Sequence, residues 1–371
     1  MKKIKNIVIL YPSYERGGAT NNLINFINYC LQKKIRLIFI SNIKNKKLFN
    51  NKKNNIKLIN LKKKFLFNSS TRLYTSIISI IKLIPILINS DKDSTVILSF
   101  QSHILSIIFC KIFSRKIIIR NSEDSFEATK YADNKFNAYV TLLLKYIFYR
   151  FSDGIFTNSN KSKISLKKIV KKDIKLIYNP YLKKVYPNKS NPRKNIILSV
   201  GRLCKQKNQI IILKAFNLFL KKFPNYKLIL IGHGNYLYKL KKLAKNLNLK
   251  KKVIFLGWIK NAKKYYLSSK IFVFPSLYEG LPNALIDSVN YNLPPISSKC
   301  SGAEDILGNT YKNFTNRNDY HQLSNLMVTI INKYSKNLLE LKKIKKKLNR
   351  FLIEKQSSKY LDYCVEILNK K

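Results

Sequence analysis

Short, largely apolar runs alternate with amphipathic stretches along almost the whole chain. The runs fall at 7–10, 37–40, 56–59, 96–100, 117–119, 154–157 and 174–178, then at 196–200, 228–231, 253–256 and 271–274. Each is short enough for a buried strand, and most precede a 3.6-periodic segment, so the pattern predicts repeated strand–helix units and parallel sheets. Helices are expected over 19–31, 134–150, 161–170, 209–221, 283–291, 323–334, 338–352 and 360–368. The stretch 61–89 differs, because KKKFLF leads into SIISIIKLIPILI. It reads either as an interfacial element on an anionic membrane or as a domain helix with one buried face. Pro85 is expected to kink or end it. Residues 179–193 hold three prolines and no periodicity, which marks an interdomain linker. Two domains follow, 1–185 and 194–350, with a last amphipathic segment at 351–371. No apolar run reaches the roughly 20 residues that span a bilayer.

Charge changes this picture more than length does. Against 72 Lys and Arg stand 18 Asp and Glu, a formal net charge of +54. Nucleic acid, an anionic membrane and anionic substrates are all candidate partners. The lysines are spread amid Asn and Ile rather than gathered in one arm, which fits a solvated surface equally well. Cys30, Cys110, Cys204, Cys300 and Cys364 lie far apart without a C-x-x-C pair, so neither zinc nor a disulfide framework is indicated and a cytoplasmic location is expected. The basic start before 7–10 has too short an apolar core for a signal peptide.

The stretch 271–307, IFVFPSLYEGLPNALIDSVNYNLPPISSKCSGAEDIL, carries the densest chemistry. A strand, a loop at Gly280 and a helix led by Pro282 are followed by a second turn, Ser301-Gly302, and another helix start. Helix N-termini beyond strand ends suit an anionic ligand. Glu279, Asp287, Glu304 and Asp305 are four of the 18 acids. They either accept paired hydrogen bonds from vicinal hydroxyls or stabilise helix starts. Earlier, V-G-R-L-C-K-Q-K-N sets Gly201, Arg202 and Lys207 at a strand-to-helix junction. An arginine fork can hold two phosphate oxygens, and Lys207 is five residues on. Gly17-Gly18 also opens a helix after a strand, without the G-x-G-x-x-G spacing of a dinucleotide site. His103, one of three histidines, follows the strand at 96–100. Arg120 and Glu123 follow the strand at 117–119 and are weaker candidates on an acceptor side. Asp91-Lys92-Asp93 has metal-like spacing but sits far from these motifs.

E-G-L-P-N-A-L-I-D, S-G-A-E-D-I-L and V-G-R-L-x-x-x-K-N, in this order-specific combination, resemble the family-four retaining glycosyltransferases. The resemblance implies the GT-B fold, an α/β architecture of two Rossmann-like domains facing across a cleft. It makes the first domain the acceptor side, the second the nucleotide-sugar side, and returns the last helix to the first domain. It implies transfer of a sugar, from a UDP-sugar by preference, to a glycan or polyprenyl-linked acceptor in surface-polysaccharide assembly, at the cytoplasmic or membrane-peripheral face. Glu279 then meets the donor sugar, Asp287 the ribose, Arg202 and Lys207 the diphosphate, and His103 the sugar. Gly17, Gly18, Gly201, Gly280, Leu281 and Asn283 complete the donor side, and the region around Gly257-Trp258 faces the base. Asp287 stands where Glu is usual. No cofactor or metal is expected, since the cations take the metal's part. A GT-B sugar-nucleotide epimerase and a basic nucleic-acid-binding protein are the alternative readings.

Overall fold

Every apolar run named above forms a parallel strand. The computed structural model describes residues 4–14, 17–43, 49, 55–61, 71–188 and 192–370. The chain divides into two compact units, Met1–Lys183 with Arg350–Lys371, and Lys184–Asn349.

In the first unit the strands are β1 (Asn6–Leu10), β2 (Arg36–Ser41), β3 (Ile56–Asn60), β4 (Thr95–Ser99), β5 (Ile117–Asn121), β6 (Gly154–Thr157) and β7 (Lys175–Leu176). The helices are α1 (Gly18–Gln32), α2 (Thr71–Asn89), α3 (His103–Ile112), α4 (Ser125–Lys130), α5 (Lys135–Phe148) and α6 (Asn160–Ile169). In the second unit β8 (Ile196–Val200), α7 (Gln209–Leu220), β9 (Lys227–Ile231), α8 (Leu237–Asn246), β10 (Val253–Gly257), α9 (Lys263–Ser268) and β11 (Ile271–Phe274) come first. They are followed by α10 (Asn283–Asn290), β12 (Pro295–Ser298), α11 (Ser301–Leu307), β13 (Phe314–Thr315), α12 (Tyr320–Asn332) and α13 (Tyr334–Lys345). The last helix, α14 (Ile353–Asn369), belongs to the first unit.

The sheet orders are β3-β2-β1-β4-β5-β6-β7 and β10-β9-β8-β11-β12-β13. Each reverses direction once, between β1 and β4 and between β8 and β11. Connections leaving the two strands at such a point diverge to opposite sides, and the gap they leave beyond the strand ends is where α/β sheets hold ligands.

In the first unit, Leu23, Phe26 and Ile27 of α1 share one sheet face with Tyr360, Tyr363 and Ile367 of α14. The α14 rings fix that packing, with Phe156 and Tyr360 centroids 4.6 Å apart and the Ile155 N–H donating to the Tyr363 hydroxyl at 3.0 Å. Ile80, Leu83 and Leu87 of α2 cover the other face with Ile107 of α3. In the second unit Ile212, Phe216 and Phe219 of α7 and Leu323 and Met327 of α12 pack in one core with Leu228 and Ile271.

Three local expectations need correction. Helix α2 runs through Pro85 without ending, because Pro85 is on the exposed side. Strands β12 and β13 escape the apolar pattern, since PISS opens on proline and ends in serines, although proline is tolerated at a strand's first position. Helix α14 begins at Ile353 rather than 360, anchored by Ile353 N–H donating to Leu182 O at 2.8 Å. Among the described residues no helix is long and apolar enough to cross a membrane. Lys62, Lys63, Lys64 and Phe65, the basic entry to the stretch 61–89, lie outside the described residues.

Candidate functional site

The reversal of the second sheet brings the two motif-bearing loops together. Strands β8 and β11 are neighbours, with Ile197 opposite Ile271, so the chain leaving each strand emerges side by side. Gln206 sews the loops to one another. Its carbonyl accepts from Leu277 N–H at 2.8 Å, and its Nε2 donates to Tyr278 O at 2.9 Å. Gln206 is the residue that sequence reasoning missed. The only signal for it was a polar residue between the two motif cations, in the turn just before α7.

With the loops joined, Lys207 Nζ donates to Glu279 Oε1. Both side chains are mostly buried, at 16% and 11% relative exposure. Lys207 Nζ also lies 4.8 Å from the centre of the Phe274 ring. A desolvated pair of this kind is held by mutual neutralisation, and removing one member leaves the other charge uncompensated. Sequence reasoning set Lys207 on a diphosphate and Glu279 on a sugar as separate events. In the structure they are each other's partner, so a ligand that engages one must also act on the other. Arg202 is exposed beside them and donates from Nη2 to Gln206 Oε1 at 3.3 Å.

Close backbone approach shapes the same region. A Cβ on Gly302, in the first turn of α11, would lie 2.2 Å from Gly280 O. A Cβ on Gly232, at φ +147°, would lie 1.8 Å from Gly201 O. Gly201 itself would place a Cβ 3.5 Å from the Lys207 side chain. Gly232 N–H donates to Gly257 O at 2.8 Å, which stacks the turns after β8, β9 and β10 on one another. Trp258 follows and is 54% exposed. Leu281 is buried behind the Gly280 loop, and Asn283 is the first residue of α10.

Asp287 acts on two phenols behind the loop that carries Glu279. Glu279 precedes α10, whereas Asp287 lies in its second turn and acts on the phenols of Tyr266 and Tyr291. Burial chiefly, and the Asp287 charge next, push both phenols up.

In the first unit, Gly17 and His103 flank the other reversal, after β1 and β4. Gly17 is the extended N-cap of α1, and a Cβ there would meet none of the described atoms within 4 Å. Gln101 clamps the loop between them, since its Oε1 accepts from Ser13 N–H at 2.8 Å and its Nε2 donates to Ser13 O at 3.1 Å. His103 Nδ1 is 2.9 Å from Ser99 Oγ, whose own proton goes to Gln101 O at 2.8 Å. Ser99 must therefore accept from Nδ1–H, which puts the ring's lone pair on Nε2. Burial, then Lys145 and Arg120, lower the His103 pKa to about 3, so the ring is neutral at pH 7.

That shift sets a pH test. The unfolded ring takes up a proton below its usual pKa of about 6.5 while the folded one does not, so stability is lost as pH falls from about 6.5 towards 3. At pH 4.5 the loss should be on the order of 2 kcal/mol, allowing for the ring's partial exposure. Urea midpoints of wild type and His103→Gln compared from pH 7.5 to 4.5 should diverge as the wild type weakens faster; parallel curves would refute the neutral buried ring.

Arg120 is corrected from a ligand candidate to a structural residue. Strand β5 extends through it to Asn121, and its guanidinium is 2% exposed, donating to Tyr360 Oη at 3.1 Å, Asn179 Oδ1 at 2.7 Å and Ser122 Oγ at 2.7 Å. It ties β5 to α14. Glu123 is exposed and faces Lys145 at 3.7 Å. Asp91 caps a turn, accepting from Asp93 N–H at 3.0 Å, at the start of β4 and not at the strand's ligand-facing end. Among the described residues no three metal-binding side chains cluster.

Two Rossmann-like units, each with motif residues at its sheet reversal, define the GT-B class. Over 98% of the chain the fold matches HepE of Anabaena, solved with UDP and glucose, at a TM-score of 0.78 and 16% identity, with all of that chain covered. Sucrose-phosphate synthase of Thermosynechococcus elongatus matches at 0.81 with 14% identity, covering 98% of this chain and 99% of the other. Residues 183–349, the span of the second unit, match the family model of glycosyl transferases group 1. An uncharacterized glycosyltransferase of Methanocaldococcus jannaschii is 33% identical over 48% of this chain and 47% of its own. A Campylobacter jejuni α-1,4-N-acetyl-D-galactosaminyltransferase, named for an acceptor on diphospho-undecaprenol, is 32% identical over 44% of this chain and 46% of its own. The chain spans about half the length of the curated relatives it matches.

Proposed function

We propose that the protein is a retaining glycosyltransferase that moves a sugar from a nucleotide diphosphate sugar, UDP-linked by preference, to a glycan carried on a membrane lipid. The observation that carries this reading is the Lys207–Glu279 pair beside Arg202, at the reversal of a sheet within the span that matches a glycosyltransferase family. The named acceptors of the Campylobacter relatives and the UDP bound by HepE support the choice of acceptor and donor.

During transfer the bond between the anomeric carbon and the diphosphate breaks, an acceptor hydroxyl oxygen takes its place on the same face, and the hydroxyl proton passes to the released diphosphate or to water. Negative charge grows on the departing diphosphate. Arg202, Lys207 and the N-terminus of α7 stabilise that charge, a role a divalent metal plays elsewhere. Once Lys207 turns to phosphate, Glu279 is freed to accept from sugar hydroxyls. Asp287 binds the ribose, and His103 offers its Nε2 lone pair to a sugar hydroxyl. Gly17, Gly18, Gly201 and Gly280 let backbone approach the donor. The nucleotide sugar is a substrate, and no cofactor takes part. The work is done at the cytoplasmic face of the membrane.

Thermal shift against UDP-, GDP- and ADP-sugars tests the donor. A ligand at 100 times its Kd stabilises by about 2.7 kcal/mol, so the UDP-sugars should raise Tm by several degrees. No shift with any of the three would overturn the reading.

A further inference from the structure

Helix α5 is apolar on two sides: Leu142 and Phe148 pack against the core of the unit, and a second apolar stripe faces outwards. Phe136, Tyr139, Val140, Leu143 and Tyr146 recur at helical spacing on one stripe, and all are exposed, at 76, 61, 38, 57 and 57%. Lys145 is the helix's most buried residue, and its Nζ donates to Ser125 Oγ at 3.1 Å. An amphipathic helix normally turns its apolar stripe to the core. Phe126 of α4, 42% exposed, extends the stripe, and with Lys168 and Ile169 of the α6 region it closes an apolar groove of about 480 Å³. Contiguous exposed apolar surface of this kind marks a binding face. Lys168 of the groove wall is exposed, as are Lys130, Lys135, Arg150, Lys167 and Lys171 on the same helices or the turns that follow them.

We propose that the α4–α5 face seats the protein on an anionic lipid bilayer, with the α5 stripe entering the headgroup–acyl boundary and the surrounding cations meeting lipid phosphates. The occupant follows from charge and chemistry together. A second copy would bring another +54 against this one, so repulsion opposes self-association. Nucleic acid wants cations interleaved with its stacking rings, whereas the centre of this stripe is Val140 and Leu143. An apolar band with a basic rim is the pattern of an interfacial helix. The inference deepens the lipid-linked acceptor reading but does not depend on catalysis for its readout.

Bulk charge alone draws this protein to any anionic surface at low salt, so the test separates the two contributions. The full chain is sedimented with vesicles of equal phosphatidylglycerol and phosphatidylcholine at 50 mM and 500 mM NaCl. Wild type should keep binding at 500 mM, where exposed charges are screened beyond about 4–5 Å. Replacing Phe136, Tyr139, Leu143 and Tyr146 by Ser should weaken binding at 500 mM at least tenfold, with Tm unchanged because these side chains are exposed. A control with Lys342, Lys343, Lys346 and Lys347 changed to Glu, exposed residues of the other unit, should lose binding only at 50 mM. A second variant reports depth. Trp258, the one native tryptophan, is changed to Phe and Leu143 to Trp, whose fluorescence should be quenched by lipids brominated on the acyl chain. Equal binding of wild type and the four-Ser variant at 500 mM, or an unquenched tryptophan, would overturn the proposal. So would a concentration-dependent dimer abolished by the four-Ser change while vesicle binding stays. Transfer to a soluble acceptor should survive the four-Ser change, which keeps a failure of docking distinct from a failure of the transferase reading.

Discussion

Glu279→Gln should abolish most sugar transfer, by about 10³-fold or more in kcat, while tightening the hold on a bare nucleotide diphosphate. The two effects have one origin. In the ligand-free protein Glu279 and Lys207 neutralise each other in a site that is mostly shielded from water. Glutamine keeps the shape and removes the charge, so Lys207 is left as an uncompensated buried cation, a loss on the order of 3 kcal/mol in folded-state stability. A diphosphate restores the balance, so UDP should raise Tm by more in the variant than in wild type. The anionic acceptor holds the sugar hydroxyls most strongly as positive charge gathers on the ring in the transition state, so its loss falls on transfer. Asp287→Asn should do the opposite, weakening nucleotide binding severalfold, since its surroundings are the phenols of Tyr266 and Tyr291 and not the Lys207 pair. Calorimetry with UDP decides between them. Weaker UDP binding in the Glu279 variant would contradict the coupling of the pair.

Arg202→Ala should lower kcat by about 10²–10³-fold, the scale on which one preorganised charge-stabilising donor acts. Arg202 is exposed and its contact with Gln206 is long, at 3.3 Å, so folding should be nearly unaffected. That separates it from Lys207, whose removal would strand Glu279. Arg202→Lys should rescue only part of the loss, because an ammonium offers one point charge where the guanidinium offers a fork. Near-normal turnover in the folded alanine variant would remove Arg202 from the leaving-group side.

The strand–helix alternation was readable because strands buried on both faces are short runs of Ile, Leu, Val and Phe, bounded by the polar, Lys- and Asn-rich turns of this chain. Strand β12 was not, since PISS carries no apolar run and is held by pairing with β11 at Phe272 and Pro295. The positions of Arg202, Lys207 and Glu279 at strand ends were also legible from spacing. Their pairing was not, because it depends on β8 and β11 being neighbours across 70 intervening residues, a fact of topology that no local pattern encodes. Arg120 was misjudged for a similar reason. Its partners Asn179 and Tyr360 lie far along the chain, the first brought to it by the end of β7 and the second by the return of α14. The outward apolar stripe of α5 was equally hidden, since a 3.6-residue period gives a stripe without saying whether it faces core or solvent.

The central claim is retention during transfer from a nucleotide diphosphate sugar. The most direct measurement is proton NMR of the protein incubated with a UDP-α-sugar and a lipid-diphosphate-linked glycan, following the anomeric signal and UDP together. The expected result is one new α-linked anomeric proton for each UDP released, lost together with UDP release in Glu279→Gln. A β-linked product, or an altered sugar nucleotide with no glycosidic bond formed, would contradict it.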